Sequence, residues 1–170
     1  MKKIFYIITF ISFSRQVLGQ TNLVLNPSFE STVSCPTGPD QVSKATNWSS
    51  YGGTSDYFNS CAPYFPCGAD VPSNMAGYQK AATGNAYCGL VTFVDPSNGV
   101  NIREYIGAQL ASPLVIGTKY YVSFKTCLSE GDCDGSTGTA FDFNIATNKI
   151  GVKFITYNFP FFSAPPVFNL

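Results

Sequence analysis

Glycine, proline, asparagine and aspartate interrupt this chain so often that no apolar repeat of helical period lasts three turns. Only short strands are left as regular structure. The clearest is Tyr120–Leu128, where Tyr120, Val122 and Phe124 alternate with Tyr121, Ser123 and Lys125, giving one apolar face and one wetter face. Pro113 and Gly117 bound a turn before it, and Ile106, Ala108 and Leu110 mark a preceding strand. Ala86–Val94 and Ile150–Tyr157 are two further strands. Asn22–Phe29 reads as a short N-terminal strand whose Pro27 suits a sheet edge. Between the strands lie loops at Pro36–Lys44 and at Ser49–Gln79, the latter far longer than usual and holding Cys61 and Cys67. Short strands with long loops predict an all-β fold, a jelly-roll β-sandwich rather than an up-and-down barrel.

Composition narrows the function. Lys+Arg and Asp+Glu each number 10, so net charge is zero and no basic excess exists to neutralise phosphates; nucleic acid is excluded as a partner. Charged residues make up 12%, against about 25% in typical globular chains. The chain has no histidine, which removes Ser/His/Asp and Cys/His machinery and most catalytic zinc sites. Residues 1–19 resemble a secretory signal: Lys2 and Lys3, an apolar Ile4–Phe13, then small residues at Val17 and Gly19. The apolar run is too short to span a bilayer, so the mature module is residues 20–170, secreted and without a membrane span. All six cysteines follow the signal, as expected of disulfides in an exported chain; spacing alone leaves the pairing open, Cys88 with Cys127 and Cys127 with Cys133 included.

A resemblance emerges from phrases taken in order. Asn22-Leu-Val-Leu-Asn-Pro-Ser-Phe-Glu30 resembles the NLVPNPSFE opening of exported bacterial carbohydrate-binding-like modules. Ala45–Trp48, Gly53–Asn59 followed by Cys61, Val71–Asn74 with Gly77–Gln79, Gly84–Tyr87, Arg103–Ile106 and Leu114–Phe124 continue the series. Together they are similar to the N-terminal galactose-binding-like jelly-roll domain of secreted Bacteroidetes surface proteins, associated with gliding motility and type IX secretion. The resemblance covers residues 22–154. It implies a galactose-binding-domain-like sandwich lacking its last strands at Leu170, with a longer connection over Cys133–Thr147. It also implies a Cys35–Cys61 disulfide and a structural Ca²⁺ held by Glu30 with a C-terminal acid.

No catalytic constellation stands out, and the chain is read as non-catalytic. The acids fall mostly in turn contexts, such as Asp95-Pro96 and Asp134-Gly135. Glu130, Asp132 and Asp134 alternate as hard oxygen donors for Ca²⁺ would, but they do not meet the EF-hand spacing and read as a solvated turn. Asn47-Trp48-Ser49 fits a glycosylation sequon, which carries no meaning in a bacterial setting. Sugar binding is the specific expectation. Flat rings meet apolar sugar faces, while amides, acids and arginine meet hydroxyls. Tyr57, Asn59, Tyr78, Gln79, Arg103 and Tyr105 are the candidate ligand contacts, with Tyr51, Tyr64, Asp56 and Asn74 nearby in the same long loop. Set against this, Trp48, the only tryptophan, and Tyr57 or Phe58 read first as plugs of the sandwich core or pins of the loop. The expected partner is a polysaccharide or cell-surface glycan; the alternative is a structural or adhesion domain without a small ligand. The uncharged tail Phe159–Leu170 reads either as packing across the sandwich or as the end of a fragment.

Overall fold

A computed structural model describes residues 21–93, 103–131 and 150–156. Among them the chain is mostly β, with no α-helix and one short 3-10 turn, Val42–Lys44. The strands are β1 Trp48–Gly52, β2 Asp56–Asn59, β3 Ser73–Asn74, β4 Gly77–Tyr78, β5 Ala86–Gly89 and β6 Tyr105–Ala108. They form three antiparallel pairs: β1 with β6, β2 with β5, and β3 with β4. Isolated bridges join Val24 to Leu110 and Thr32 to Ala45. Each sheet among the described residues has two strands.

The β2–β5 ladder pairs Tyr57 with Cys88 and Phe58 with Tyr87, so its alternating side chains feed two separate apolar clusters. Tyr57 and Ala86 pack with Ala45, Phe29 and Trp48 on one face. Phe58 packs with Ala62, Ala69, Val71, Met75, Ala76 and Tyr87 on the other. Along β1–β6, glycine faces tyrosine. A Cβ at Gly107 would lie 2.8 Å from the Tyr51 ring, and one at Gly52 would lie 3.1 Å from the Tyr105 ring. Each tyrosine covers a gap only glycine leaves.

Several expected elements differ from what forms. The Ser49–Gln79 stretch, expected as a loop, contains β1 to β4. Two- and four-residue strands with polar side chains are too short to display a period. Asn22–Phe29 is not an edge strand beyond the Val24 bridge: Asn26 and Phe29 take left-handed backbone (φ 51° and 64°), and Phe29 N–H donates to Asn26 O at 3.1 Å. The chain turns there because the Asn26 side chain takes over the backbone's bonds. Its Oδ1 accepts Ser31 N–H, and its Nδ2 donates to the Ser31 and Thr46 carbonyls. The expected strand Ala86–Val94 ends at Gly89 in the described part. Tyr120–Leu128 and residues 150–156 join no ladder among the described residues. Residues 1–19, the Asp132–Asp134 acids, Cys133 and the tail 159–170 lie outside the described residues.

The Cys35–Cys61 disulfide is present, with Cα atoms 5.5 Å apart. It ties the N-terminal loop to the end of β2. Cys67 is also disulfide-bonded. Cys88 and Cys127 are free thiols, so a bridge between them is not made. The ladder explains why. Cys88 lies on the Tyr57 face of the ladder and burial pushes its thiol up to about 12, whereas Cys127 is exposed.

Candidate functional site

The six expected ligand contacts separate into three places. Tyr57 and Asn59 come together, but inside the protein, at 0% and 6% exposure. Asn59 Nδ2 donates to the Tyr57 hydroxyl at 2.7 Å, and that hydroxyl donates to Phe29 O at 2.8 Å. Asn59 Oδ1 accepts Cys61 N–H at 2.9 Å. Every polar atom of the pair is spent on the fold, so neither side chain meets a ligand. Trp48 completes the same unit: its ring stacks on Phe29 with centroids 4.5 Å apart, and its Nε1 donates to Asn26 O at 2.9 Å. The reading of Trp48, Tyr57 and Phe58 as plugs of the core therefore holds.

The remaining contacts divide between ladders. Tyr78 is 62% exposed on β4, and Gln79 beyond it donates through Nε2 to Lys80 O at 2.6 Å. Tyr105 is half-buried over Gly52 on β6. Arg103 is exposed, with Nη1 3.5 Å from Thr92 O. Its neighbour Glu104, not Arg103, is the structural residue. Glu104 is 8% exposed; Oε1 accepts Thr54 N–H at 2.8 Å and Oε2 accepts Val91 N–H at 2.8 Å.

Glu30 has a backbone role. Its Oε1 accepts the N–H groups of Asn85 and Ala86, each at 2.9 Å, and its carboxylate fills the space beside Gly84, where φ is +67° and no Cβ fits. Among the described residues no set of three or more Asp, Glu or Cys is placed to hold a metal ion. The nearest approach to a carboxylate group is Asp56. Burial raises it from 3.8 to about 6, against the pull of the Asp40 N–H it accepts at 2.8 Å, with the charges of Glu104 and Asp40 adding to the rise.

The surface feature with the clearest binding chemistry is the loop Cys61–Gly68. Cys61 and Cys67 are both disulfide-bonded, and Pro63 and Pro66 stiffen the chain between them. The stem is buried, with Ala62 at 8% and Ala69 at 1% exposure against Phe58. Asn59 N–H donates to Ala69 O at 3.0 Å, Gly68 N–H to Phe65 O at 2.8 Å, and Met75 N–H to Gly68 O at 3.1 Å. A Cβ at Gly68 would stand 2.9 Å from Phe65 O, so the turn requires glycine. From this frame Tyr64 and Phe65 project into solvent at 80% and 68% exposure. The sequence signal for it is two cysteines bracketing Pro-Tyr-Phe-Pro; Tyr64 is visible as a loop aromatic, but Phe65 is missed without the bracket. No helix among the described residues is long and apolar enough to cross a membrane. No family model, curated protein or solved structure matches the chain.

Proposed function

We propose that this protein is a secreted, non-catalytic binding module whose ligand is carbohydrate or another cell-surface glycan, held on the Tyr64–Phe65 loop. The observation that carries this reading is the pair of rings left in water on a loop fastened at both ends by disulfide-bonded cysteines. Exposed rings are costly without a partner, and a loop ordered in advance loses little entropy when it binds. Rings without a neighbouring charge suit the apolar C–H face of a sugar; residues 61–69 carry none. The three ladders are read as parts of a galactose-binding-like jelly roll, and the disulfides fit an oxidising compartment outside the cytoplasm. Tyr78, exposed on the β3–β4 hairpin, and Gln79 just beyond it are read as secondary contacts.

Affinity-gel electrophoresis of the full chain against a panel of polysaccharides tests the proposal. Retardation by at least one polysaccharide, with no released oligosaccharide, is expected. Absence of retardation throughout favours the structural or adhesion role. Hydrolysis of any member by pure protein contradicts the non-catalytic reading.

A further inference from the structure

The Tyr64–Phe65 loop has little with which to hold a ligand through hydrogen bonds or charge. No charged residue stands between Asp56 and Asp70, and these flanking charges are both acidic. Lys44, which reaches the other end of the Cys35–Cys61 bridge, spends its ammonium on Cys35 O at 3.2 Å and Thr37 Oγ1 at 3.4 Å. Within residues 61–69 the Tyr64 hydroxyl is the only polar side-chain group other than sulfur. The backbone offers few donors. Cys61 N–H and Ala62 N–H turn back to Asn59, Gly68 N–H turns back to Phe65 O, and Pro63 and Pro66 have none. What projects is two rings. At 80% and 68% exposure, Tyr64 and Phe65 stand out from the surface, so they can lie along the side of a chain but not enclose its end.

Resting on the reading of this loop as the binding surface, we propose that its ligand is the interior of a neutral, unbranched, β-1,4-linked polysaccharide of the glucan or xylan type. Stacking is the one interaction the loop supplies in quantity, so the sugar must offer ring faces free of hydroxyls. In a β-1,4-linked glucose or xylose chain the hydroxyls and linkages leave from the ring edges. Both faces then carry only C–H groups, and the extended chain repeats them. The same inventory rejects uronate and sulfate polymers, which find no cation on the loop and an acid on either side of it. It also rejects an anionic membrane surface, which is held by clustered basic residues.

Affinity gels cast with hydroxyethylcellulose, xylan, polygalacturonate or dextran test this on the full chain. Retardation by hydroxyethylcellulose or xylan is expected, and it persists in about 1 M NaCl, where charges are screened beyond about 3 Å. Tyr64→Phe, which removes the loop's one side-chain hydroxyl and keeps the ring, is expected to hold the affinity within about twofold, while Phe65→Ala weakens it several-fold. Retardation by polygalacturonate or dextran, but by neither β-1,4-linked polymer, overturns the proposal and leaves the loop a binding surface. Loss of retardation in salt or in Tyr64→Phe does the same. Retardation by no polymer overturns both the proposal and the reading beneath it. Sedimentation of the protein with phosphatidylcholine vesicles, abolished by Phe65→Ala, puts a lipid surface in place of the sugar and overturns the proposal as well.

Discussion

The Tyr57 hydroxyl stands between Asn59 and Phe29, accepting from the Asn59 amide at 2.7 Å and donating to the Phe29 carbonyl at 2.8 Å. Through it, the end of β2 holds the Asn-Pro-Ser-Phe-Glu turn in place, with Tyr57 and Asn59 themselves buried. Tyr57→Phe removes the link without changing the shape of the ring. It leaves a buried amide with one partner fewer and is expected to cost about 1–3 kcal/mol. Urea unfolding of the two proteins measures it; equal midpoints contradict the assignment.

Glu30 fastens the same turn to the start of β5 through two backbone N–H groups. Glu30→Ala is expected to destabilise by about 2–3 kcal/mol, since bonds to a charged acceptor are the stronger kind. If these bonds are its role, a chelator leaves the melting temperature of the wild type unchanged. A fall in melting temperature on adding the chelator, restored by Ca²⁺, would return Glu30 to the metal role that the resemblance implied.

Asp56 makes stability depend on pH in an unusual direction. Its folded value of about 6 lies above 3.8, so the native state holds the proton more tightly than the unfolded chain. Stability therefore rises as pH falls from about 7 towards 4, by up to about 3 kcal/mol. Asp56→Asn keeps an acceptor for Asp40 N–H and removes the charge. It is expected to be more stable than wild type at pH 7 and to flatten the profile over this range. A wild type that weakens steadily on acidification from pH 7 to 5 contradicts the assignment.

The Cys35–Cys61 bridge closes a span of 26 residues. In the chain-entropy model a loop of this size contributes about 3–4 kcal/mol. Replacing both cysteines by serine is expected to lower the urea midpoint accordingly. A midpoint unchanged by that replacement contradicts the assigned weight.

What the sequence made legible follows from how much chain each feature needs. The β class, the Cys35–Cys61 bridge and the strand at Ile106 required only local punctuation or a phrase, and they are present. Tyr120–Leu128 carries the clearest alternation in the chain and joins no ladder among the described residues, because period records which side chains share a face and not whether a neighbouring strand is there to pair. The Asn22–Phe29 strand failed on side-chain bonding: Asn26 supplies three hydrogen bonds that draw the backbone into a turn. Tyr57 and Asn59 look like ligand contacts in any loop rich in tyrosine and asparagine. Only burial separates a ring that greets a ligand from one that plugs a cluster, and burial is set by residues far away in sequence, here Phe29 and Ala86. Tyr64 and Phe65 passed with little notice because exposure, too, is a property of the folded frame.

The most direct test of the binding role is to compare wild type with a Tyr64→Ala, Phe65→Ala double variant on the polysaccharide that retards the wild type. The account predicts an affinity lowered about tenfold or more at an unchanged melting temperature, since each ring–sugar contact contributes on the order of 1 kcal/mol. Equal retardation of the two proteins would place the ligand elsewhere and contradict the account.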